Sequence, residues 1–224
     1  PRRVNRLPNP PARAIITDAI RQAIPLFLPA IPFALVLGVA ISESAMPTAV
    51  AWSTNPLVFA GASQLATVSL AATATWLTLV ATAAVINLRH VMYSAALAPR
   101  FTEQPRWFRW IGPFLLIDQL FALLSARDDL SAREWRRSYL TTGIFFYSMW
   151  IVLVTFGLVA GSAIPTDWRL DVAPAVMFAG LVTLGVTNQP GVVAAVTGAT
   201  VCFVALEVPN NGGILIGAVS GVVA

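Results

Sequence analysis

Apolar runs of bilayer length alternate with short polar punctuation along this chain. They cover about residues 25–42, 49–72, 75–98, 110–126, 139–159, 172–186 and 191–206, with a shorter run at 213–224. A helix crossing a hydrocarbon core of about 30 Å needs about 20 such residues, so the pattern predicts an all-α, polytopic membrane protein of about six to eight transmembrane or re-entrant helices. Several runs are interrupted. Pro29 and Pro32 lie inside the first and Asn55-Pro56 near the start of the second. Proline removes a backbone hydrogen bond and kinks a helix, which a membrane tolerates where neighbouring groups cover the freed carbonyl. Broken helices are therefore expected. Ahead of the runs, residues 1–13 are rich in Pro and Arg and read as a flexible tail. In residues 14–24, Ile16, Ile20 and Ile24 recur every four positions with Arg13 and Arg21 off their stripe. That pattern suits a short helix lying in the interface. No small-residue cleavage site follows convincingly, so this is not read as a signal peptide. Residues 1–224 form one transporter-sized membrane domain.

Composition strengthens that reading. The 224 residues are 57% hydrophobic and only 11% charged, with a mean hydropathy of +0.76. A soluble domain carries about 25% charged residues, so one soluble core would have far too much apolar surface to bury. All 14 basic residues other than His90 are Arg, the net charge is +4 and the pI is about 10.2. These arginines sit mostly in the tail and loops, where they orient a membrane protein, rather than in a nucleic-acid patch. Trp107, Trp110, Trp135 and Trp168 fall near run ends, as aromatic belts do. The lone Cys202 forbids an internal disulfide and reads as a small packing residue. The chain has no Cys/His cluster of metal spacing, no P-loop, no GxGxxG and no GxSxG. Neither an enzyme nor a bound cofactor or metal is expected.

Charge placement sets a puzzle. Arg2, Arg3, Arg6, Arg13 and Arg21 put the N-terminus in the cytoplasm, yet the loops flanking residues 110–126 are both positive, with Arg100, Arg106 and Arg109 before and Arg127, Arg133, Arg136 and Arg137 after. A simple span there would export one of them. Re-entrant segments near residues 56–72 and 110–126 would return both to the cytoplasm. PLVFAGA from Pro56 is also echoed by PAVMFAGL from Pro174. Inverted transporter repeats show themselves in this way, and a chance match among Ala/Gly/Val-rich helices produces the same echo.

The candidate chemistry lies where lipid should exclude it. Gly61, Ala62, Ser63 and Gln64 interrupt the second run. They read either as small residues for close helix packing or as a helix break whose free N–H groups bind a carboxylate. Asn87, Arg89 and His90 come late in the third run, with Arg89 and Tyr93 on one helical face. Arg89 either snorkels to a headgroup or sits deep, since residues 91–98 continue apolar. Asp118 stands between apolar flanks, where a lone ionised carboxylate costs several kcal/mol. It must be protonated or paired, and Arg89 is its natural partner. A structural ion pair and a proton-coupling group are both open, and His90, with an unperturbed pKa near 6.5, could share proton handling.

These same residues carry a resemblance. VFAGASQ (58–64) followed by INLRHVMYSAALAP (86–99), with PFALVLGVAISES (32–44) and FLLIDQLFAL (114–123), resembles the AzlC-type branched-chain amino acid permeases over nearly the whole chain. The departures are modest: Ala34 stands where Gly is expected, and Gln119 follows the Asp where an acidic residue is commoner. The resemblance implies export of valine, leucine or isoleucine across the cytoplasmic membrane. It also implies a small second membrane subunit of the AzlD type. On this expectation Gly61, Ala62, Ser63, Gln64, Asn87 and Arg89 bind substrate, while Asp118 and His90 couple transport to protons. A channel-like or non-transporting assembly subunit is the rival reading.

Overall fold

The computed structural model describes residues 11–160, 186, 189–205, 207, 216–217 and 220–221. Every element among them is helical: α1 (Ala12–Phe27), α2 (Ala30–Glu43), α3 (Thr48–Val58), α4 (Gly61–Leu70), α5 (Trp76–Thr102), α6 (Arg106–Ile111), a 3₁₀ turn (Gly112–Leu115), α7 (Asp118–Leu124), α8 (Ala132–Ala160) and α9 (Gln189–Val204). By length and composition, α5 and α8 can each cross a membrane, and α1 with α2 make a third candidate bent by 61°. The tail arginines, Trp168, the echo at Pro174, nearly all of the sixth run and most of the last lie outside the described residues. The helices belong to two compact units, Pro1–Pro174 and Ala175–Ala224.

The first unit is assembled on α8. Its tightest seam is with α2, where a Cβ on Gly38 would stand 2.4 Å from the Val154 carbonyl oxygen and one on Gly157 2.5 Å from that of Leu35. Small residues at such a crossing let backbones approach closely enough for dispersion to hold helices together without a hydrophobic drive. α1 reaches α8 through Phe27, edge-on to Phe145 and Phe146 at 5.3 and 5.5 Å. The stripe that α1 buries is Ile15, Ala19, Ala23 and Phe27, one position off the isoleucine stripe seen in the sequence. The alanines admit a close neighbour, and Ile16 and Ile24 are left exposed.

Two segments leave an end of the unit and come back to it. In α3–α4, the Ser44 hydroxyl just ahead of α3 donates to the Val68 carbonyl near the end of α4, at 3.4 Å. In the segment from α6 to α7, Arg100 at the end of α5 donates to the carbonyls of Arg127 and Leu130 at 2.6 and 3.3 Å. Gln104 Nε2 reaches the Ala132 carbonyl at 3.1 Å, and Arg136 reaches Gln104 Oε1 at 3.0 Å. Arg127 also bonds Gln22 and pairs with Asp18 of α1. The arginine-bearing flanks of residues 110–126 thus lie at one end of the unit.

Two expectations change. The polar stretch 127–137 is loop only as far as Ser131; Glu134 accepts from the Ser131 N–H and hydroxyl, a capping box that starts α8 at Ala132. Trp135 is no belt residue. It is fully buried, its indole N–H donating to the Leu124 carbonyl, because α7 and the end of α5 pack over it. In the loop, the hydrogen bond from Arg127 and its charge hold the Asp129 carboxyl below the ordinary carboxylate value. A lowered folded-state value gives this clamp its full effect above about pH 4, lost as acidification passes the lowered value.

The second unit is described by its own packing. A Cβ on Gly221 would stand 2.7 Å from the Ala194 carbonyl oxygen, and one on Gly217 2.7 Å from the Cys202 Cβ. Cys202 thus packs against a glycine, as a small apolar residue would.

Two outcomes follow. Gly157→Leu forces the α2–α8 seam apart, and overpacking of this kind costs about 1–3 kcal/mol or more; the melting midpoint of the detergent-solubilised protein should fall clearly, and an unchanged midpoint would mean the helices do not touch there. Single cysteines at Glu103 and at Asp128, in a Cys202→Ser background, should be labelled by an impermeant maleimide from the same side of the membrane. Labelling of one from each side would make residues 105–127 a full crossing.

Candidate functional site

The first discontinuity lies between α3 and α4. Phe59 closes α3 with φ 48° and ψ 48°, the left-handed region that few side chains adopt, and α4 starts at Gly61. Every polar group that this break would strand in lipid must be satisfied inside the protein. Pro56 has no N–H to give the Trp52 carbonyl, and Asn55 Nδ2 takes over at 3.0 Å. The Pro56 carbonyl accepts from the Tyr147 hydroxyl at 3.2 Å. Gln64 crosses the gap, its Oε1 accepting from the Ala60 N–H at 3.1 Å and its Nε2 donating to Thr54 Oγ1 and Asn55 Oδ1 at 3.0 and 3.1 Å. Ser63 donates to the Ala60 carbonyl at 2.9 Å. Both side chains are buried.

The two readings of Gly61–Gln64 therefore separate by residue. Gly61 is a packing glycine: a Cβ there would lie 2.8 Å from the Trp150 ring. Ser63 and Gln64 hold the break together with their polar atoms. The backbone N–H groups of the first turn of α4, from Gly61 through Ala62, carry the helix's partial positive charge.

The second discontinuity is in the segment that returns to the end of α5. The 3₁₀ turn ends at Leu115, Leu116 and Ile117 are extended, and α7 begins at Asp118. Arg89 Nη1 meets Asp118 Oδ2 at 2.8 Å, with the side chains 19% and 12% exposed. The Tyr93 hydroxyl donates to Asp118 Oδ1 at 2.8 Å. The shared face of Arg89 and Tyr93 on α5 thus closes on one carboxylate. Tyr93 is held in turn by stacking on Phe121 of α7, with centroids 4.4 Å apart. His90 stands edge-on to Tyr93 at 5.8 Å, with its Nδ1 3.3 Å from the Asn87 carbonyl oxygen. The Asn87 Oδ1 atom is buried without a hydrogen-bond partner among the described residues.

An aromatic wedge joins the two breaks. Phe59 lies edge-on to Tyr147 of α8 at 5.1 Å and 6.4 Å from Phe114 of the 3₁₀ turn, and Phe114 lies 5.7 Å from Tyr147. α4 also packs along α5. At about 1.5 Å per residue, the ten residues of α4 run back beside α5 to about the level of residue 85, which brings Asn87 close to the depth of Gly61. Sequence reasoning found the polar residues and missed the wedge. Phe59, Phe114 and Tyr147 carry no polar signal that sets them apart from other core aromatics, although Asn55-Pro56 did mark the first break. Trp150 was missed as well; its Nε1 is buried without a hydrogen-bond partner among the described residues. Among the described residues no group of three or more His, Cys, Asp or Glu could hold a metal.

Interrupted helices with a partly buried charged pair at one of the breaks define a class: helical membrane proteins with broken segments. The chain belongs to the AzlC family, whose model, described as "AzlC protein", matches residues 25–164. It is 29% identical over 165 residues to an uncharacterized membrane protein of Archaeoglobus fulgidus, covering 74% of this chain and 70% of that protein. It is 25% identical over 162 residues to the inner membrane protein YgaZ of Escherichia coli, covering 70% of this chain and 66% of that protein. No solved structure matches.

Gln64→Leu should cost about 2–4 kcal/mol, since it leaves buried donors and acceptors unpaired at about 1–3 kcal/mol each; denaturation in detergent measures it, and a loss below 1 kcal/mol would mean the break does not need the amide. For the ion pair, Arg89→Gln alone should cost about 3–5 kcal/mol by stranding a buried charge. The double variant with Asp118→Asn should recover part of that loss. A coupling energy near zero in the double-mutant cycle would count against a direct pair.

Proposed function

We propose that this chain is the large subunit of a secondary transporter that exports branched-chain amino acids across the cytoplasmic membrane, assembled with a small membrane subunit of the AzlD type. The observation that carries the reading is the Arg89–Asp118–Tyr93 cluster, a carboxylate held by an arginine and a phenol at a helix interruption. A charged pair placed among apolar helices is costly and marks solute or proton pathways in membrane proteins. A zwitterionic aliphatic substrate needs an anion site, acceptors for its ammonium and an apolar pocket. The first turn of α4 supplies N–H donors, Asn87 Oδ1 is a buried acceptor without a partner, and the aromatic wedge is apolar.

In this mechanism Asp118 alternates between its pair with Arg89 and a protonated state, with His90 passing the proton. Protonation of Asp118 removes the negative charge that would face the substrate ammonium, so proton entry and solute release are linked through one carboxylate. Gly61, Ala62, Ser63, Gln64 and Asn87 shape the substrate site, with Ser63 and Gln64 acting by holding the break open. The small subunit has a place to bind, since α5 presents Trp76, Leu77, Val80, Leu88, Val91 and Met92 outward. On this reading the chain is not an enzyme.

Inside-out vesicles holding this chain and its small partner should take up radiolabelled valine saturably along an imposed pH gradient. Asp118→Asn should reduce the uptake at least tenfold, and omission of the partner should abolish it. Assembled complex that moves no branched-chain amino acid, or Asp118→Asn with unchanged uptake, would favour the rival, a channel-like or assembly subunit.

A further inference from the structure

A cavity of about 260 Å³ lies between the last turns of α5 and the α6–3₁₀ corner, outside the cluster just described. Ala98, Phe101, Pro113 and Leu116 give it apolar walls, and Ser94 and Arg109 bring a hydroxyl and a guanidinium to it. Cavities for drug-sized ligands run from about 300 to 1,000 Å³, so this one suits a smaller molecule.

Two of its polar side chains, those of Arg109 and Ser94, are exposed and without a protein partner among the described residues. The Arg109 guanidinium makes no hydrogen bond or ion pair among the described residues, unlike those of Arg100 and Arg127 nearby in the same unit. The Ser94 hydroxyl makes none either, and the Leu116 carbonyl, in the extended break, accepts none among the described residues. One cation, one hydroxyl and one free carbonyl around an aliphatic pocket match a carboxylate, a neighbouring donor and a short hydrocarbon. The position adds to this. Ser94 follows Tyr93 directly, and Leu116 lies two residues before Asp118, so the two segments that form the ion pair also line the cavity.

We propose that this cavity is a binding site for small aliphatic carboxylates, in which Arg109 takes the carboxylate and Ala98, Phe101, Pro113 and Leu116 take the hydrocarbon. It is the vestibule through which solute reaches the Arg89–Asp118 pair from the arginine-rich end of the unit. The inference rests on the transporter reading for the direction of passage, but occupancy of the site does not depend on transport.

The test reads occupancy directly. Ser94→Cys in a Cys202→Ser background gives a single thiol on the cavity wall of the full chain in membrane vesicles. Leucine and 4-methylpentanoate, each at millimolar concentration, should slow maleimide labelling at position 94 at least threefold. Leucinamide, which lacks the carboxylate, should leave the rate unchanged. Protection should be lost in Arg109→Gln and largely regained in Arg109→Lys, a pattern that a merely structural role for Arg109 would not give. Equal labelling with and without leucine and 4-methylpentanoate would overturn the proposal, as would equal protection by leucinamide. Valine uptake without protection at position 94 rejects the vestibule and leaves the transporter standing. Protection without uptake keeps the carboxylate site and rejects the transporter.

Discussion

A backbone that stops being helical inside a membrane has nowhere to put its hydrogen bonds, and the structure of this protein follows from solving that problem twice. At the first break, Gln64, Ser63, Asn55 and Tyr147 satisfy the groups that Phe59 and Pro56 expose. The first three come from within ten residues of the break, so the solution is largely local, and only the Tyr147 hydroxyl is brought from α8. At the second break the task falls to long-range contacts: the Tyr139 hydroxyl donates to the Gly112 carbonyl at 2.9 Å, and Asp118 closes on Arg89 and Tyr93 of α5. Each unmet group would cost several kcal/mol in lipid, so neither break can persist without these side chains.

Once the breaks are secured, their placement follows from α8. The Gly38 and Gly157 contacts pull α2 onto it, Phe27 fixes α1, and Tyr147 sits between Phe59 and Phe114. The two interruptions meet at a common wedge although more than fifty residues separate Phe59 from Phe114 in the chain. The same assembly accounts for the charge distribution. Arg100, Gln104, Arg127 and Arg136 tie both flanks of the returning segment to one end of the unit, where Asp18 and Gln22 of α1 also lie. Positive charge gathered at one end of the described unit is the kind of one-sided placement that orients membrane proteins. Arg89, the exception among the described arginines, is the one that meets a carboxylate between the breaks.

The sequence by itself determined a good deal. Apolar run lengths made this an all-helical membrane protein, because only helices and closed barrels satisfy a backbone in lipid. Polar side chains at depth marked the chemistry, because lipid exacts a cost for each of them that chance does not sustain. The four-residue spacing of Arg89 and Tyr93 already put them on one face, and the cost of a lone Asp118 named Arg89 as its partner. Charge alone argued that residues 110–126 return to their starting side.

Tertiary structure decided the rest. Which stripe of α1 is buried, Ile15 and Ala19 rather than Ile16 and Ile20, depended on how closely α8 could approach, and periodicity does not encode a neighbour's distance. Trp135 became core because α7 folds back over it, a contact that local sequence near Trp135 cannot reveal. Whether Gln64 binds solute or braces the break was open in the sequence, since an amide at that depth serves either use. Its partners, Ala60, Thr54 and Asn55, became visible only when α3 and α4 were set at an angle across Phe59. Residue chemistry fixes what a polar group must find in an apolar medium, whereas the relative placement of helices fixes which group it finds.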